Sequence, residues 1–202
     1  MYALVTDGTI TKYFNNPKGF TLGDLQYTKD IFTKWSVEEN EAIGIYEVVY
    51  DNSNFKDEKW YINTNQTFAF ADGTVTASYG TATAKAHADT LFTAQDETDG
   101  LGTEGEVATR GLKYNLIQTL KSQVANELAR TDWYITRNAE KSTAIPSAIS
   151  THRDAVRTKQ ASMETAITNA SNTPALETLY TYTTDSDGVQ SRPLGELPTL
   201  EI

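Results

Sequence analysis

The chain has 202 residues and a formal net charge of −10, with 17 basic against 27 acidic side chains, an isoelectric point near 4.7 and a mean hydropathy of −0.47. An acidic surplus of that size repels a phosphate backbone or an anionic membrane, so neither nucleic acid nor a membrane is expected as a partner. Absence of cysteine removes disulfides, thiolate nucleophiles and sulfur metal sites together, and no window approaches the ~20 consecutive apolar residues that a spanning helix needs.

Two runs, residues 2–6 and 9–14, flank Asp7-Gly8, the dipeptide that permits positive φ in a tight turn, and they predict a β-hairpin. After a loop with Pro17 and Gly19, Thr21-Leu22-Gly23-Asp24-Leu25 is read as the start of a brief helix. Ser36-Val37-Glu38-Glu39 fits a capping box, in which the serine oxygen and the glutamate satisfy free amides reciprocally. Gly44 stands where a left-handed cap would end that helix, and residues 45–50 read as a strand. Residues 60–62, 67–70 and 74–79 form the next β group, the last two joined through Asp72-Gly73. Thr and aromatic side chains, including 11 Tyr and 7 Phe, suit such pleated, half-buried surfaces.

Residues 94–105 are acidic, glycine-rich and poor in apolar side chains, as a linker or exposed loop is. Beyond them the period changes. Tyr114, Ile117, Leu120, Val124 and Leu128 recur at helical spacing and predict a helix over about 106–137. Ile145, Ile149, His152, Val156, Met163 and Ile167 mark a second helix, with Pro146 in its first turn. A short polar stretch joins the two, so an antiparallel helical hairpin over 106–170 is expected. From Thr173 onward Pro174, Pro193 and Pro198 predict an extended C-terminal tail over 171–202, with a possible hairpin at Asp187-Gly188. The fold class is therefore α+β: an N-terminal β-rich module (1–93), a linker, a helical hairpin and a tail. Two helices with one narrow apolar stripe each barely offset the entropy of ordering them, so the hairpin calls for a third surface. The N-terminal module, another copy or a different protein would supply it.

Catalytic patterns fail on inspection. His87 and His152 are the only histidines, assigned to different modules, and His152 belongs to a helical stripe. Asp96, Asp99 and Glu104 do not fit a calcium loop, since Gln95 takes the first ligand position, and Asp185-Ser186-Asp187-Gly188 fails with Thr183 and Leu194 at key positions. Gly100-x-Gly102-x-x-Gly105 matches a dinucleotide fingerprint literally, yet no strand precedes it and acidic residues crowd it. Neither enzyme activity nor a metal or cofactor is expected. Trp60, Tyr61 and Tyr79 could stack on sugar rings in a glycan-binding module, but they are read first as core residues.

One segment stands apart. Thr131-Asp132-Trp133-Tyr134 lies late in the first helix, flanked by Arg130 and Arg137. Trp133 is read as a ring that closes the hairpin against the second helix, and Asp132 as a carboxylate able to hold Arg153 or Arg157. Thr131-Asp132-Trp133, Arg137, Ile145-Pro146, Arg153 and Arg157 together resemble the TDW motif near the C-terminus of tail-fibre assembly and fibre-attachment proteins of tailed bacteriophages. Val156-Arg157 stands where that pattern has Leu-Arg, and the likeness covers residues 120–157. Residues 5–13, 20–25 and 42–48 are similar to a leader module of phage tail proteins, with Tyr13-Phe14-Asn15 in place of its aromatic-Pro signature.

This resemblance implies a virion part, such as a baseplate, hinge or fibre-attachment protein in several copies, or else a fibre-assembly chaperone absent from the mature particle. It implies other tail proteins as partners, a homo-oligomer or multi-copy state, synthesis in the host cytoplasm, and a contact made by Asp132, Trp133, Tyr134, Arg137, Arg153 and Arg157.

Overall fold

A computed structural model describes residues 1–200. Glu201 and Ile202, the end of the expected extended tail, lie outside the described residues. The fold is mixed α and β, with a curled five-stranded sheet and seven helices among the described residues. The chain divides into two compact units, Met1–Thr83 and Ala84–Ile202.

In the first unit, β1 (Tyr2–Thr6) and β2 (Thr9–Phe14) form the expected hairpin, with Asp7 and Gly8 at φ 49° and 74° in its turn. Instead of starting a helix, residues 20–27 make a second hairpin, β3 (Phe20–Leu22) with β4 (Leu25–Tyr27). Gly23 at φ 58° cannot continue a right-handed turn, and the Phe20 and Tyr27 rings stack across the pair at 5.3 Å. After α1 (Ile31–Lys34) comes α2 (Val37–Ala42), opened by the predicted capping box. Ser36 Oγ accepts from the Glu39 amide at 3.2 Å, and Glu39 Oε2 accepts from the Ser36 amide at 2.8 Å. There follow β5 (Ile45–Asp51), β6 (Tyr61–Ile62), β7 (Gln66–Ala71) and β8 (Thr74–Tyr79), with β9 (Thr83–Ala84) at the division between units.

Sheet order is β2-β1-β5-β8-β7, parallel only between β5 and β8. Period-two alternation sorts its side chains into two cores. Ala3, Val5, Val48, Val75 and Ala77 line one face with Ile10, Tyr46, Phe68 and Phe70. The sheet curls around them until the edge strands β2 and β7 meet, with Tyr13 and Phe68 ring centroids 4.9 Å apart. Leu4 and Ile45 face the other way, beneath Phe14, Phe20, Ile31 and Phe32.

In the second unit, β10 (Thr90–Leu91) pairs with β11 (Val107–Thr109), and α3 (Ala94–Thr98) lies between them under a Thr93–Asp96 capping box. The segment read as a linker is thus a largely exposed helix and turn inside this unit. That ladder also delays the first long helix, which begins at Leu112 rather than near Glu106. The helix α4 (Leu112–Ala129) starts where Asp89 Oδ1 accepts from the Gly111 amide at 2.7 Å. Its buried stripe is Leu116, Leu120 and Val124. Tyr114, expected on that face, is exposed beneath the Arg110 guanidinium.

The chain breaks at Arg130-Thr131, and α5 (Asp132–Lys141) follows as a separate helix. Next comes α6 (Ser147–Asn169), with Pro146 one residue ahead of it. α4 and α6 run antiparallel, since Lys113 Nζ donates to the Thr168 carbonyl at one end and Glu127 meets His152 at the other. Three helices replace the expected two-helix hairpin.

The start of the expected tail is also helical. α7 (Thr173–Tyr180) carries Pro174 in its first turn, where no amide is lost, and the Asn172 side chain caps the Ala175 amide at 2.9 Å. Leu176 is fully buried and α7 packs on α6. The third surface called for by the thin stripes is therefore supplied by the same unit. Beyond it β12 (Thr183–Thr184) pairs with β13 (Gln190–Ser191) around Gly188. No helix among the described residues is long and apolar enough to cross a membrane.

Gly44 joins α2 to β5 at φ 80°, its carbonyl accepting from the Val5 amide at 2.8 Å, and an added Cβ would lie 2.5 Å from the Val5 carbonyl oxygen. Gly73 has a similar φ of 71° with open space around it. Gly44→Ala is expected to lower stability to denaturant by more than the roughly 1–3 kcal/mol of backbone strain that Gly73→Ala suffers. Equal losses would mean that the Val5 contact is irrelevant.

Candidate functional site

At the break between α4 and α5 the last carbonyls of one helix and the first amides of the next would be left without helical partners. Arg153, projecting from α6 and only 8% exposed, meets that need on the carbonyl side. Its Nη1 donates to the Leu128 carbonyl at 2.8 Å and to Thr131 Oγ1 at 2.7 Å, and pairs with Asp132 Oδ1 at 2.8 Å. Thr131 is 1% exposed, and its hydroxyl in turn donates to the Leu128 carbonyl. Of the two arginines considered for Asp132, the structure selects Arg153. Arg157 points elsewhere and pairs with Asp154 on its own helix at 3.3 Å.

One turn back on α4, Glu127 takes His152 Nε2 at 3.0 Å through one oxygen and Arg130 Nη1 through both. His152 is thus a buried, satisfied residue of the α4–α6 seam. Burial pushes the Glu127 carboxyl up, but the hydrogen bond and charge of Arg130, then those of His152, pull it further down, so its net shift is below the usual 4.5. Glu127 escapes sequence reading because it is neither apolar nor part of a motif, and Thr131 is read only as part of the Thr131-Asp132-Trp133 run, not as a buried acceptor. The only signal is the i,i+3 spacing of Glu127 and Arg130.

Asp132 reaches Arg153 from an exposed position, Trp133 beside it is exposed as well, and Tyr134 is half-buried. α5 has no buried residue at all. Trp133 is 52% exposed and Ile135 40%, which overturns the reading of Trp133 as the ring that closes the core. The corner is closed instead by Thr131 and Arg153. Trp133 and Tyr134 lie in contact at 4.1 Å between centroids, and the Arg137 guanidinium covers both, 4.5 Å from the indole and 5.4 Å from the phenol. Arg137 makes no ion pair among the described residues, and its Nε is buried without a hydrogen-bond partner. The expected contact set thus separates. Asp132 and Arg153 build the corner, Trp133, Tyr134 and Arg137 form a displayed aromatic–cation patch, and Arg157 belongs to neither.

Other sequence features resolve as packing. Trp60 and Tyr61 are 3% and 7% exposed, which leaves no free ring face for a sugar, and Tyr79 packs on Phe55 at 5.0 Å. Asp185 Oδ1 is committed to the amides of Asp187 and Val189 in its own turn. Both histidines fall in the second unit, and no three metal-ligating side chains converge among the described residues. Comparison with protein-family models, with curated proteins and with solved structures finds no match.

Two outcomes follow for this corner. Arg153→Met should cost about 1–3 kcal/mol in denaturant unfolding, because the buried Thr131 hydroxyl and the Leu128 carbonyl lose the donor that ties them to α6, while the largely exposed Asp132 adds little. A loss near zero would show that the corner holds without it. For Glu127, a folded-state value below 4.5 means that its contribution to stability is complete above 4.5 and is lost as pH falls from there through the folded-state value. Acid titration of stability should therefore be shallower in Glu127→Gln than in the wild type, and identical curves would contradict the assignment.

Proposed function

We propose that the chain is a non-enzymatic structural protein of a bacteriophage tail, a baseplate, hinge or fibre-attachment component that links fibres to the tail through protein–protein contacts. It is made in the host cytoplasm and is present in several copies in the virion. The observation that carries this reading is the exposed Trp133, stacked with half-buried Tyr134 and Arg137 on a helix with no buried residue, beside the Thr131-Asp132 corner. Large aromatic rings and arginine are the side chains that dominate binding energy at protein interfaces. Here they cluster on one partly exposed helix, within the segment that resembles the TDW motif of fibre-assembly and fibre-attachment proteins. A face of that chemistry gains its full burial when a partner covers it.

Mass spectrometry of purified particles of the phage that encodes the chain tests the reading. Stoichiometric presence is expected, and Trp133→Ala should remove the chain from particles while costing about 1 kcal/mol or less in stability, since the ring is half exposed. Absence of the wild-type chain from particles would transfer it to the assembly-chaperone role. Equal incorporation of the wild type and of the Trp133→Ala variant would show that this face is not the contact.

A further inference from the structure

The end of β2 and the loop that leads to β3 enclose an open hollow of about 310 Å³, whose lining includes Lys12, Phe14, Asn15, Asn16, Lys18 and Gly19. Sites for small molecules begin at roughly 300 Å³. Strand alternation puts Lys12 on the same face as Phe14, while the Tyr13 ring turns to Phe68 on the other. The Lys12 ammonium lies 5.2 Å from the Phe14 ring centroid and 5.9 Å from that of Phe20, so it is seated over two buried rings. Neither Lys12 nor Lys18 makes an ion pair among the described residues, and no Asp or Glu lines the hollow. In a chain of net charge −10, two cations gathered without an anion select an anionic ligand.

The carboxamides beside them say what else that ligand carries. Asn15 and Asn16 are exposed and their side chains make no hydrogen bond among the described residues. Each offers donors and an acceptor together, which a hydroxyl answers with its own hydrogen and lone pairs. Gly19 also lines a second hollow, of about 360 Å³, where Thr21, Gln26 and Thr28 add more groups of this kind. We propose that the loop of residues 12–19 binds a carboxylate-bearing sugar. Lys12 and Lys18 hold the carboxylate, Asn15 and Asn16 take ring hydroxyls, and the hollow past Gly19 receives the next sugar of a chain. An acidic peptide fits less well, because Phe14 is 5% exposed and leaves no apolar seat for its side chains. Free phosphate would use the lysines and leave the carboxamides idle. No carboxylate lines either hollow, so the pair of acids that cleaves a glycosidic bond is missing here and the site is one of binding. It lies in the first unit and stands apart from the α5 contact.

Amide NMR of the full nitrogen-15-labelled chain, titrated with oligogalacturonate and with oligosialic acid, tests the site. At least one of them should give saturable shifts at Asn15, Asn16, Lys18 and Gly19. The neutral methyl ester of the same sugar, inorganic phosphate and oligoglutamate, at equal ionic strength, should each bind roughly tenfold more weakly or less. Lys18→Glu, at an exposed loop position, should abolish saturation, and Lys12→Arg should retain what Lys12→Ala loses. Asn16→Ala should weaken the acid sugar and leave the weak phosphate shifts unchanged. The dispersion of each variant's spectrum verifies that it is folded. Absence of saturation with both acid sugars overturns the proposal. Phosphate or oligoglutamate binding as tightly as the sugar overturns it as well, since the lysines would then attract any anion or an acidic peptide.

Discussion

A guanidinium buried among helices is tolerable only if its hydrogens find acceptors, and Arg153 finds them at one place, the corner where α4 stops and α5 begins. Leu128, Thr131 and Asp132 belong to two different helices and the break between them, so one side chain on α6 specifies both where α4 ends and how α5 leaves it. The Leu128 carbonyl accepts from the Thr131 amide at 3.0 Å as well as from Arg153, so the tightened end of α4 and the buried guanidinium share one acceptor.

Outward display of Trp133 follows from that constraint. With Asp132 paired to Arg153, the next residue, Trp133, is half exposed, and no residue of α5 is fully buried. Its rings and Arg137 stabilise one another by stacking, yet roughly half of the indole still faces water. The seam between α4 and α6 is meanwhile completed by Leu116, Leu120, Val124, Val156, Met163 and Ile167, and α7 adds Leu176 against α6. The folded unit thus meets its own packing needs, and the case for a partner passes from the thin stripes to the uncovered face of α5.

Much of the first unit is legible in the sequence because its signals are local. Asp7-Gly8 and Asp72-Gly73 fix their hairpins, and Ser36 with Glu39 fixes the start of α2. The second hairpin at Gly23 is hidden by a short run that suits a helix until the positive φ is known. In the second unit periodicity locates α6 well. It cannot reveal the α4–α5 break, since no Gly or Pro marks it and the cause sits more than 20 residues away in Arg153. The same distance explains why charge pairs Asp132 with an arginine of α6 but leaves Arg153 and Arg157 open, while hydrophobicity wrongly places Trp133 inside. An apolar ring argues for burial, and only the geometry of the corner turns it outward. α7 is obscured by Pro174, which reads as a helix breaker unless its place in the first turn is recognised.

The dependence of Trp133 display on the Arg153 corner is most directly measured by fluorine NMR on 5-fluorotryptophan-labelled protein at a dilution where the chain is monomeric, the Trp133 signal being assigned by Trp133→Phe. A large solvent-isotope shift on exchange from H₂O to D₂O is expected for Trp133, next to a negligible one for the buried Trp60, and Arg153→Met should alter the Trp133 signal selectively. A Trp133 resonance as insensitive to solvent as that of Trp60 would contradict the account.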